Sequence, residues 1–257
     1  MFLTGTGGTA AWADRETGWS ELAGREGFAL ALPEALPPDP AKPPTFLTNP
    51  PRWNDGSPTP SHPPVADDVR FLLAVIDDAV ARFGADRARV FLTGFSNGAG
   101  MAFRLAAEAA ERIAAIAPVA GYCWVENPRP ARPIPTLYTV GTADLLIPLR
   151  GGDVRLPWSS RLVRRPPVNA TLERWAEGLG CDLVPTLRSD DGSVRVEHYP
   201  GPVVFDAVTV AGLGHHWPGG RGQLNPRIAG PPSAAVNATA MIWEFFRAAG
   251  ERAGETA

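Results

Sequence analysis

The sequence predicts a single domain of the α/β class, a doubly wound and mostly parallel sheet flanked by helices. Short apolar runs, typical of buried strands, alternate along the chain with amphipathic helical stretches. The 257 residues, 44% of them hydrophobic, suffice for one sizeable core, so we expect residues 1–257 to form one domain. The formal charge of −3 provides no broad basic field, which argues against a nucleic-acid partner.

Each element is predicted from a local pattern. Residues 66–83 place apolar side chains at steps of three and four, which predicts a helix with one buried face. The proline-rich stretch 33–64 predicts an irregular surface excursion. The string Asp190-Asp191-Gly192 predicts a hairpin and therefore one antiparallel edge. Further helices are expected at 98–111, 171–179 and 233–248, and strand-like apolar runs lie at 28–32, 90–93, 114–119, 135–140, 194–199 and 203–210.

Composition also limits the ligands and the location of the protein. The two cysteines, Cys123 and Cys181, lack the paired spacing of a zinc site, and whether they form a bridge with each other is open. No apolar run approaches the roughly 18 residues that a membrane helix requires, so we expect no membrane partner. The start, residues 1–5, has neither a basic head nor a long apolar stretch, so we expect no export signal in the chain as given.

The motif Gly94-Phe95-Ser96-Asn97-Gly98 lies between a predicted strand and a predicted helix. This is a G-x-S-x-G nucleophile elbow in its strand–turn–helix setting. Its glycines permit a turn sharp enough to expose the serine hydroxyl, and the backbone N–H of Asn97 would face an oxyanion. A turn that only caps the helix is the alternative. Because both flanking elements are present in the pattern, we expect Ser96 to be a catalytic nucleophile.

A serine nucleophile needs a general base, which in this chain order follows the serine and an acid. His215 and His216 follow the strand-like run 203–210, in a loop where catalytic groups of α/β sheets gather. His198 lies inside another run and is expected to be a half-exposed sheet residue. We therefore expect the base to come from the pair at 215–216.

The acid and the second oxyanion donor are predicted from position. Asp144 directly follows the run 135–140 and is expected to accept the imidazole Nδ1–H, with Asp153 as the second choice. A glycine-rich loop at residues 5–8 follows a very short apolar start, and we expect the amide of Thr6 to donate to the oxyanion. A flexible glycine-rich leader is the alternative for that loop.

Several segments spread over nearly the whole chain carry a family resemblance. They are residues 5–8, 53–56, 67–69, 94–100, 141–144, 180–181 and the Gly-His-x-Trp-Pro-Gly string at 214–219. Together they resemble the polyhydroxybutyrate depolymerase and feruloyl esterase type of α/β-hydrolase. The resemblance implies hydrolysis of carboxylic esters without a metal or an organic cofactor. It also implies that His215, not His216, is the catalytic histidine.

Two features depart from that family pattern. Thr4 stands where such proteins usually carry a histidine, and the chain begins inside the strand before the loop, where one or two more strands usually precede. We therefore expect the N-terminal strands to be shortened or missing and the loop to be weakly held. The bare sheet edge would be covered by the proline-rich stretch, by a second copy of the chain, or not at all. The resemblance suggests secretion if the N-terminus is truncated; localisation and oligomeric state stay open.

Three tryptophans are candidates for lining a substrate pocket, and two aspartates lie near a predicted helix start. Trp124, Trp158 and Trp217 follow strand ends and are expected to line an acyl or aryl pocket, although packing explains such residues equally well. Asp67 and Asp68 are expected to stabilise a helix dipole.

The expected substrates are small or oligomeric esters: short-chain, hydroxyalkanoate or phenolic acyl esters. The alternatives are a non-catalytic binding protein of the same fold, suggested by Thr4, and a peptidase of that fold.

Overall fold

The computed structural model describes residues 1–58, 66–158, 162–222 and 224–255. The strands in these ranges are β1 Phe2–Leu3, β2 Phe91–Phe95, β3 Ala115–Val119, β4 Thr136–Gly141, β5 Gly152–Arg155, β6 Leu162–Arg165, β7 Thr186–Asp190, β8 Val194–His198 and β9 Phe205–Val210. The α-helices are α1 Ala10–Thr17, α2 Trp19–Glu26, α3 Asp68–Phe83, α4 Asn97–Glu108, α5 Val168–Leu179, α6 Pro226–Ala229 and α7 Ala238–Glu255.

The described strands form one large sheet and one small hairpin. The large sheet has the order β1-β2-β3-β4-β9-β8-β7, and its first five strands run parallel. The other two strands are antiparallel and form the hairpin predicted at the Asp-Asp-Gly turn, where Asp191 accepts hydrogen bonds from the N–H groups of Ser193 and Val194. This mostly parallel, helix-flanked sheet confirms the predicted fold class.

The core lies on both faces of the parallel strands. Every residue of β3 and β4 is buried, as a parallel sheet covered by helices requires. The predicted apolar face of α3 is confirmed at Leu72 and Ile76, which are buried. At its C-terminal end the same face leaves the core, and Phe83 is 68% exposed. The closing helix α7 buries Ile242 and Phe246.

The N-terminal edge of the sheet is short, as expected, but it is not bare. Strand β1 has two residues, and both are fully buried. The Phe2 N–H donates to the carbonyl of Ala31, so the apolar run 28–32 lies beside β1 without forming a strand. The Phe28 ring of this run stacks on Trp243 of α7, with 4.2 Å between the ring centroids. The segment just before the proline-rich stretch therefore covers the edge.

The sequence patterns did not predict α1, α2 or the β5–β6 hairpin. Each of the two helices has eight residues, which show only about two turns of periodicity, and Gly18 separates them in a left-handed conformation with φ 70°. The hairpin strands have four residues each and bury only Val154 fully, so their alternation is too short to distinguish them from a loop.

Three further features of the described residues are the state of the cysteines, the character of the helices and the grouping of possible metal ligands. Cys123 and Cys181 are free and buried, so they form no bridge with each other. None of the described helices is long and apolar enough to cross a bilayer. No group of three or more His, Cys, Asp or Glu side chains in the described ranges is arranged to hold a metal ion.

The close approach of α4 to β1 predicts an unequal response to two glycine substitutions. A Cβ at Gly98 would overlap the backbone carbonyl of Leu3, which is fully buried and has no room to move. Gly98→Ala is expected to destabilise the protein by about 1–3 kcal/mol, as overpacking typically does. In α2, a Cβ at Gly24 would meet nothing within 4 Å. Gly24→Ala should therefore stabilise by up to about 1 kcal/mol through helix propensity.

Urea unfolding of both variants beside the parent protein measures these two changes. If Gly98→Ala were as stable as Gly24→Ala, the contact between the elbow helix and the first strand would not be as tight as the structure has it.

Candidate active site

Ser96 occupies a sharp turn between β2 and α4. Its backbone has φ 57° and ψ −117°, a region that residues with a side chain rarely adopt. The Ser96 N–H donates to the carbonyl of Val119 at 2.9 Å, which ties the turn to the neighbouring strand β3. A Cβ at Gly94 would overlap the Gly98 carbonyl, so only glycine fits two residues before the serine. The turn therefore presents the Ser96 side chain, half-buried, at the carboxyl edge of the sheet.

Asp144 and His215 are joined by a buried hydrogen bond. Asp144 Oδ2 lies 2.7 Å from His215 Nδ1, and the two residues are 4% and 3% exposed. Asp144 Oδ1 accepts from the N–H groups of Leu146 and Ile147 at 2.8 and 2.7 Å, which fixes the carboxylate. Because a carboxylate can only accept, His215 Nδ1 carries the proton and Nε2 keeps its lone pair when the ring is neutral.

Packing brings this pair to the elbow. Phe95, the residue before Ser96, packs on the His215 ring with 4.6 Å between the ring centroids. The serine follows β2, the aspartate follows β4 and the histidine follows β9, so all three lie at the carboxyl edge of the parallel sheet. Among the described residues, no hydrogen bond joins Ser96 Oγ to His215 Nε2. Such contacts often tighten only when substrate is bound.

Two backbone amides near Ser96 donate no hydrogen bond to the part of the chain that the structure describes. The N–H of Asn97 opens α4, so no intrahelical acceptor is available to it. In the glycine-rich loop, the Gly7 N–H donates to Pro51 O and the Gly8 N–H donates to Gly5 O. The Thr6 N–H donates to none of the described residues. A Cβ at Gly5 would lie 3.2 Å from the Ser96 Cβ, so the loop passes directly beside the serine.

The loop is held by a residue to which the sequence patterns assign no role. The Trp53 indole Nε1 donates to the carbonyl of Thr4 at 3.0 Å, and Trp53 is 1% exposed. Its backbone N–H donates to Asn97 Oδ1 at 2.7 Å, and Asn97 Nδ2 donates back to the Trp53 carbonyl at 3.1 Å. Asn97 and Trp53 therefore brace the loop against the elbow helix, so the loop is not weakly held. In the sequence, the family resemblance at residues 53–56 was the feature that pointed to this segment.

The next residue of that segment is held from α3 and α4. The Asn54 N–H donates to Asp68 Oδ2 at 2.6 Å, and Arg104 Nη1 donates to the Asn54 carbonyl at 2.6 Å. Burial raises the pKa of Asp68. Both aspartates lie at the start of α3 as expected: Asp67 is the N-cap, whose side chain accepts from the N–H of Arg70, and Asp68 is the acidic residue of the first turn.

The three tryptophans that were expected to line a pocket differ in how far they are buried. Trp124 and Trp158 are half-buried. Trp217 is corrected to a core residue: it is 2% exposed, and its Nε1 donates to Thr239 Oγ1 at 2.9 Å. It also packs edge-on against Phe2 of β1, with 5.3 Å between the ring centroids. Its polar atom is thus satisfied inside the protein, and its ring lies edge-on to that of Phe95, with 6.5 Å between the centroids.

The alternative site residues lie in other environments. His216 is 1% exposed, and its Nε2 lies 2.8 Å from the Gly230 carbonyl, which can only accept. His198 is half-buried on β8, with its Nδ1 2.8 Å from Asp206. Asp153 is on the exposed side of β5 and pairs with Arg164 at 3.4 Å. Of the candidates, only Asp144 and His215 bond to each other.

Comparison with known sequences gives two relatives, while no family model matches the chain. The protein named "Putative esterase NocK", from Nocardia uniformis subsp. tsuyamanensis, is 30% identical over 265 residues, which cover 96% of this chain and 73% of that protein. Feruloyl esterase B from Piromyces equi is 30% identical over 166 residues, covering 58% of this chain and 29% of that protein.

Solved structures share the fold at low identity. The crystal structure of Arabidopsis thaliana SOBER1 matches with a TM-score of 0.59 and 15% identity, covering 96% of both chains. Acetyl xylan esterase from Aspergillus awamori matches with a TM-score of 0.55 and 14% identity, covering 84% of this chain and 82% of that one.

Proposed function

The chain belongs to the esterases of the α/β-hydrolase fold, and on that premise we propose that it hydrolyses carboxylic esters through an acyl-enzyme formed on Ser96. The buried hydrogen bond between Asp144 and His215, beneath the ring of Phe95, carries this proposal. It fixes one tautomer of the histidine and leaves Nε2 as the base for a serine on the adjoining turn.

In the proposed reaction, Ser96 Oγ attacks the ester carbonyl while His215 Nε2 takes its proton. The imidazolium passes that proton to the leaving alcohol, and the acyl group stays on Ser96. Water then attacks the acyl carbonyl while His215 Nε2 takes its proton, and His215 returns that proton to Ser96 Oγ as the bond to the acyl group breaks and the acid is released. Asp144 stays ionised throughout and stabilises the imidazolium.

Two amides would stabilise the negative charge that develops on the carbonyl oxygen. The N–H groups of Asn97 and Thr6 flank Ser96 and are not used by the described residues. Loss of one such donor typically raises the barrier by about 3 kcal/mol, so the position of the Thr6 loop matters as much as the side chains. The indole of Trp53, which holds that loop at Thr4, supports the proposal.

For the substrate we propose short-chain, hydroxyalkanoate or phenolic acyl esters. Trp124 and Trp158 offer half-buried aromatic faces for an acyl or aryl group. The name of the relative feruloyl esterase B supports the phenolic class. The Trp158 ring also meets Phe46 edge-on, with 5.8 Å between the ring centroids, and a Cβ at Gly7 would lie 2.5 Å from that phenylalanine. An aromatic pair thus stands beside the loop of Thr6.

An ester panel tests the proposed function. para-Nitrophenyl esters of increasing acyl length, methyl ferulate and β-hydroxybutyrate oligomers would be assayed beside para-nitroanilides. We expect turnover of at least one ester and none of the amides. Ser96→Ala should lower kcat/KM to below about a thousandth of the parent value, because loss of a triad nucleophile typically costs more than that. Cleavage of amides alone would indicate a peptidase, and no turnover at all would refute the esterase.

The two adjacent histidines give a matched comparison. His215→Gln removes the proposed base, and we expect an activity loss as large as that of Ser96→Ala. His216→Gln retains an N–H donor for the Gly230 carbonyl, so much more activity should remain. Steady-state kinetics on the best ester, with the thermal midpoint of each variant as a control for folding, measures both. The opposite ranking would assign the base to His216.

A further inference from the structure

Arg165, at the end of β6, has a half-buried guanidinium that none of the described residues engages in a hydrogen bond or an ion pair. Its Cζ lies 5.8 Å from the ring centroid of Tyr122 and 5.6 Å from that of Trp124. Its Nε is buried and has no hydrogen-bond partner, and no carboxylate of the described residues lies within ion-pair distance of it. Burial lowers the pKa of Arg165. An arginine so placed retains donors that no group of the described chain uses.

A second polar group beside it is also unpaired. The Tyr122 hydroxyl is buried without a hydrogen-bond partner, and the residue is 2% exposed. Burial raises the pKa of Tyr122, so the phenol keeps its proton and can donate it in a hydrogen bond. Buried polar groups are nearly always hydrogen-bonded, so two unsatisfied buried donors on neighbouring side chains require an explanation. A ligand that accepts hydrogen bonds from both would supply one.

These groups lie next to the elbow. Tyr122 follows Gly121, where a Cβ would overlap the carbonyl of Ser96. On the other side, the Trp124 Cβ is 3.7 Å from the position that a Cβ would take at Gly56, in the segment that braces the oxyanion loop. The unpaired donors therefore belong to a group of side chains close to the turn of Ser96 and to the segment that braces the oxyanion loop.

No carboxylate neutralises Arg165 by direct contact among the described residues. Asp55 acts on Arg165 only through its electric field, and Arg52 opposes that effect. Asp55 is also engaged elsewhere, since it accepts from Ser57 and lies 4.0 Å from the Arg52 guanidinium. Arg165 thus keeps a positive charge that none of the described carboxylates pairs with directly, and a carboxylate on a ligand would supply that pair.

We propose that Arg165 and Tyr122 bind a carboxylate on the substrate, so that the preferred substrates are esters carrying a free carboxylate group. Hydroxy-acid oligomers and monoesters of dicarboxylic acids have this chemistry. The planar guanidinium can donate two parallel hydrogen bonds to one carboxylate. The aromatic faces of Tyr122 and Trp124 hold the guanidinium in place. This inference rests on the proposed function, because it names the substrate class of the same site.

Two pairs of esters, each differing in one charge, test the inference. The first is the para-nitrophenyl monoester of glutaric acid and its neutral counterpart, in which an isopropyl group replaces the carboxylate. The second places the carboxylate on the leaving alcohol: the acetate ester of β-hydroxybutyric acid, as the free acid and as its methyl ester. The measured quantity is the ratio of kcat/KM for the charged ester to that for the neutral one.

We expect Arg165→Met to lower this ratio roughly 10- to 100-fold for at least one pair, the range typical of a hydrogen bond to a charged group. Tyr122→Phe should lower it by a smaller factor, and Arg165→Lys should restore part of it. The matched control is Arg164→Met on the same strand, whose side chain is 79% exposed, and it should leave the ratio unchanged. Equal ratios for the parent and Arg165→Met in both pairs would overturn the inference.

A binding measurement separates this inference from the esterase itself. Calorimetry of glutarate binding to Ser96→Ala needs no turnover, and we expect the affinity to fall at least about tenfold when Arg165→Met is added. Arg165-dependent glutarate binding without turnover of any ester would contradict the proposed function but support the carboxylate site. Turnover of esters with unchanged ratios and no Arg165-dependent binding would contradict the site alone.

Discussion

The structure depends on the close contact of backbone segments at Ser96. The first turn of α4 approaches β1 so closely that a side chain at Gly98 would overlap the Leu3 carbonyl, and Gly121 is packed in the same way against the Ser96 carbonyl. The serine itself is held in a strained conformation that the surrounding contacts maintain. Because the first strand, the elbow and the end of β3 touch without intervening side chains, their relative positions are tightly restricted.

This contact lets a two-residue strand support the glycine-rich loop. Leu3 fixes the start of the glycine-rich loop against the elbow helix, and Trp53 fixes it again at Thr4. Asn97 contributes twice in the proposed site: its side chain holds Trp53, and its backbone N–H is one of the two oxyanion donors. The proline-rich stretch is therefore more than a surface excursion, since its residues connect the loop to α3 and α4.

The parts of the fold and site that could be predicted have local signals. The elbow is recognisable because five consecutive residues and their flanking strand and helix all point to one turn. Strand ends that share one edge of a parallel sheet pointed to Asp144 and to the histidine pair at 215–216. The family resemblance then selected His215, which lies 71 residues from its partner Asp144. By contrast, the burial of Trp217 depends on its packing against Phe2, which no local pattern records.

The short elements and the environment of Arg165 also required the structure. The β5–β6 hairpin has strands of four residues, too short for alternation of buried and exposed side chains to identify them. This hairpin places Arg165 over the rings of Tyr122 and Trp124, which follow β3. A lone arginine in a chain rich in arginine has no sequence signal. The proposed role of Arg165 was inferred from two hydrogen-bond donors, on Arg165 and Tyr122, that the described chain leaves unpaired.

Covalent labelling of the folded protein with a fluorophosphonate, which reacts rapidly only with an activated serine, tests the nucleophile most directly. Peptide mapping then locates the adduct among all serines of the chain. We expect one adduct, on Ser96, and labelling that is slower by at least about a hundredfold in His215→Gln, because that variant lacks the base. No adduct, or an adduct on another serine, would contradict the claim that the elbow carries an activated nucleophile.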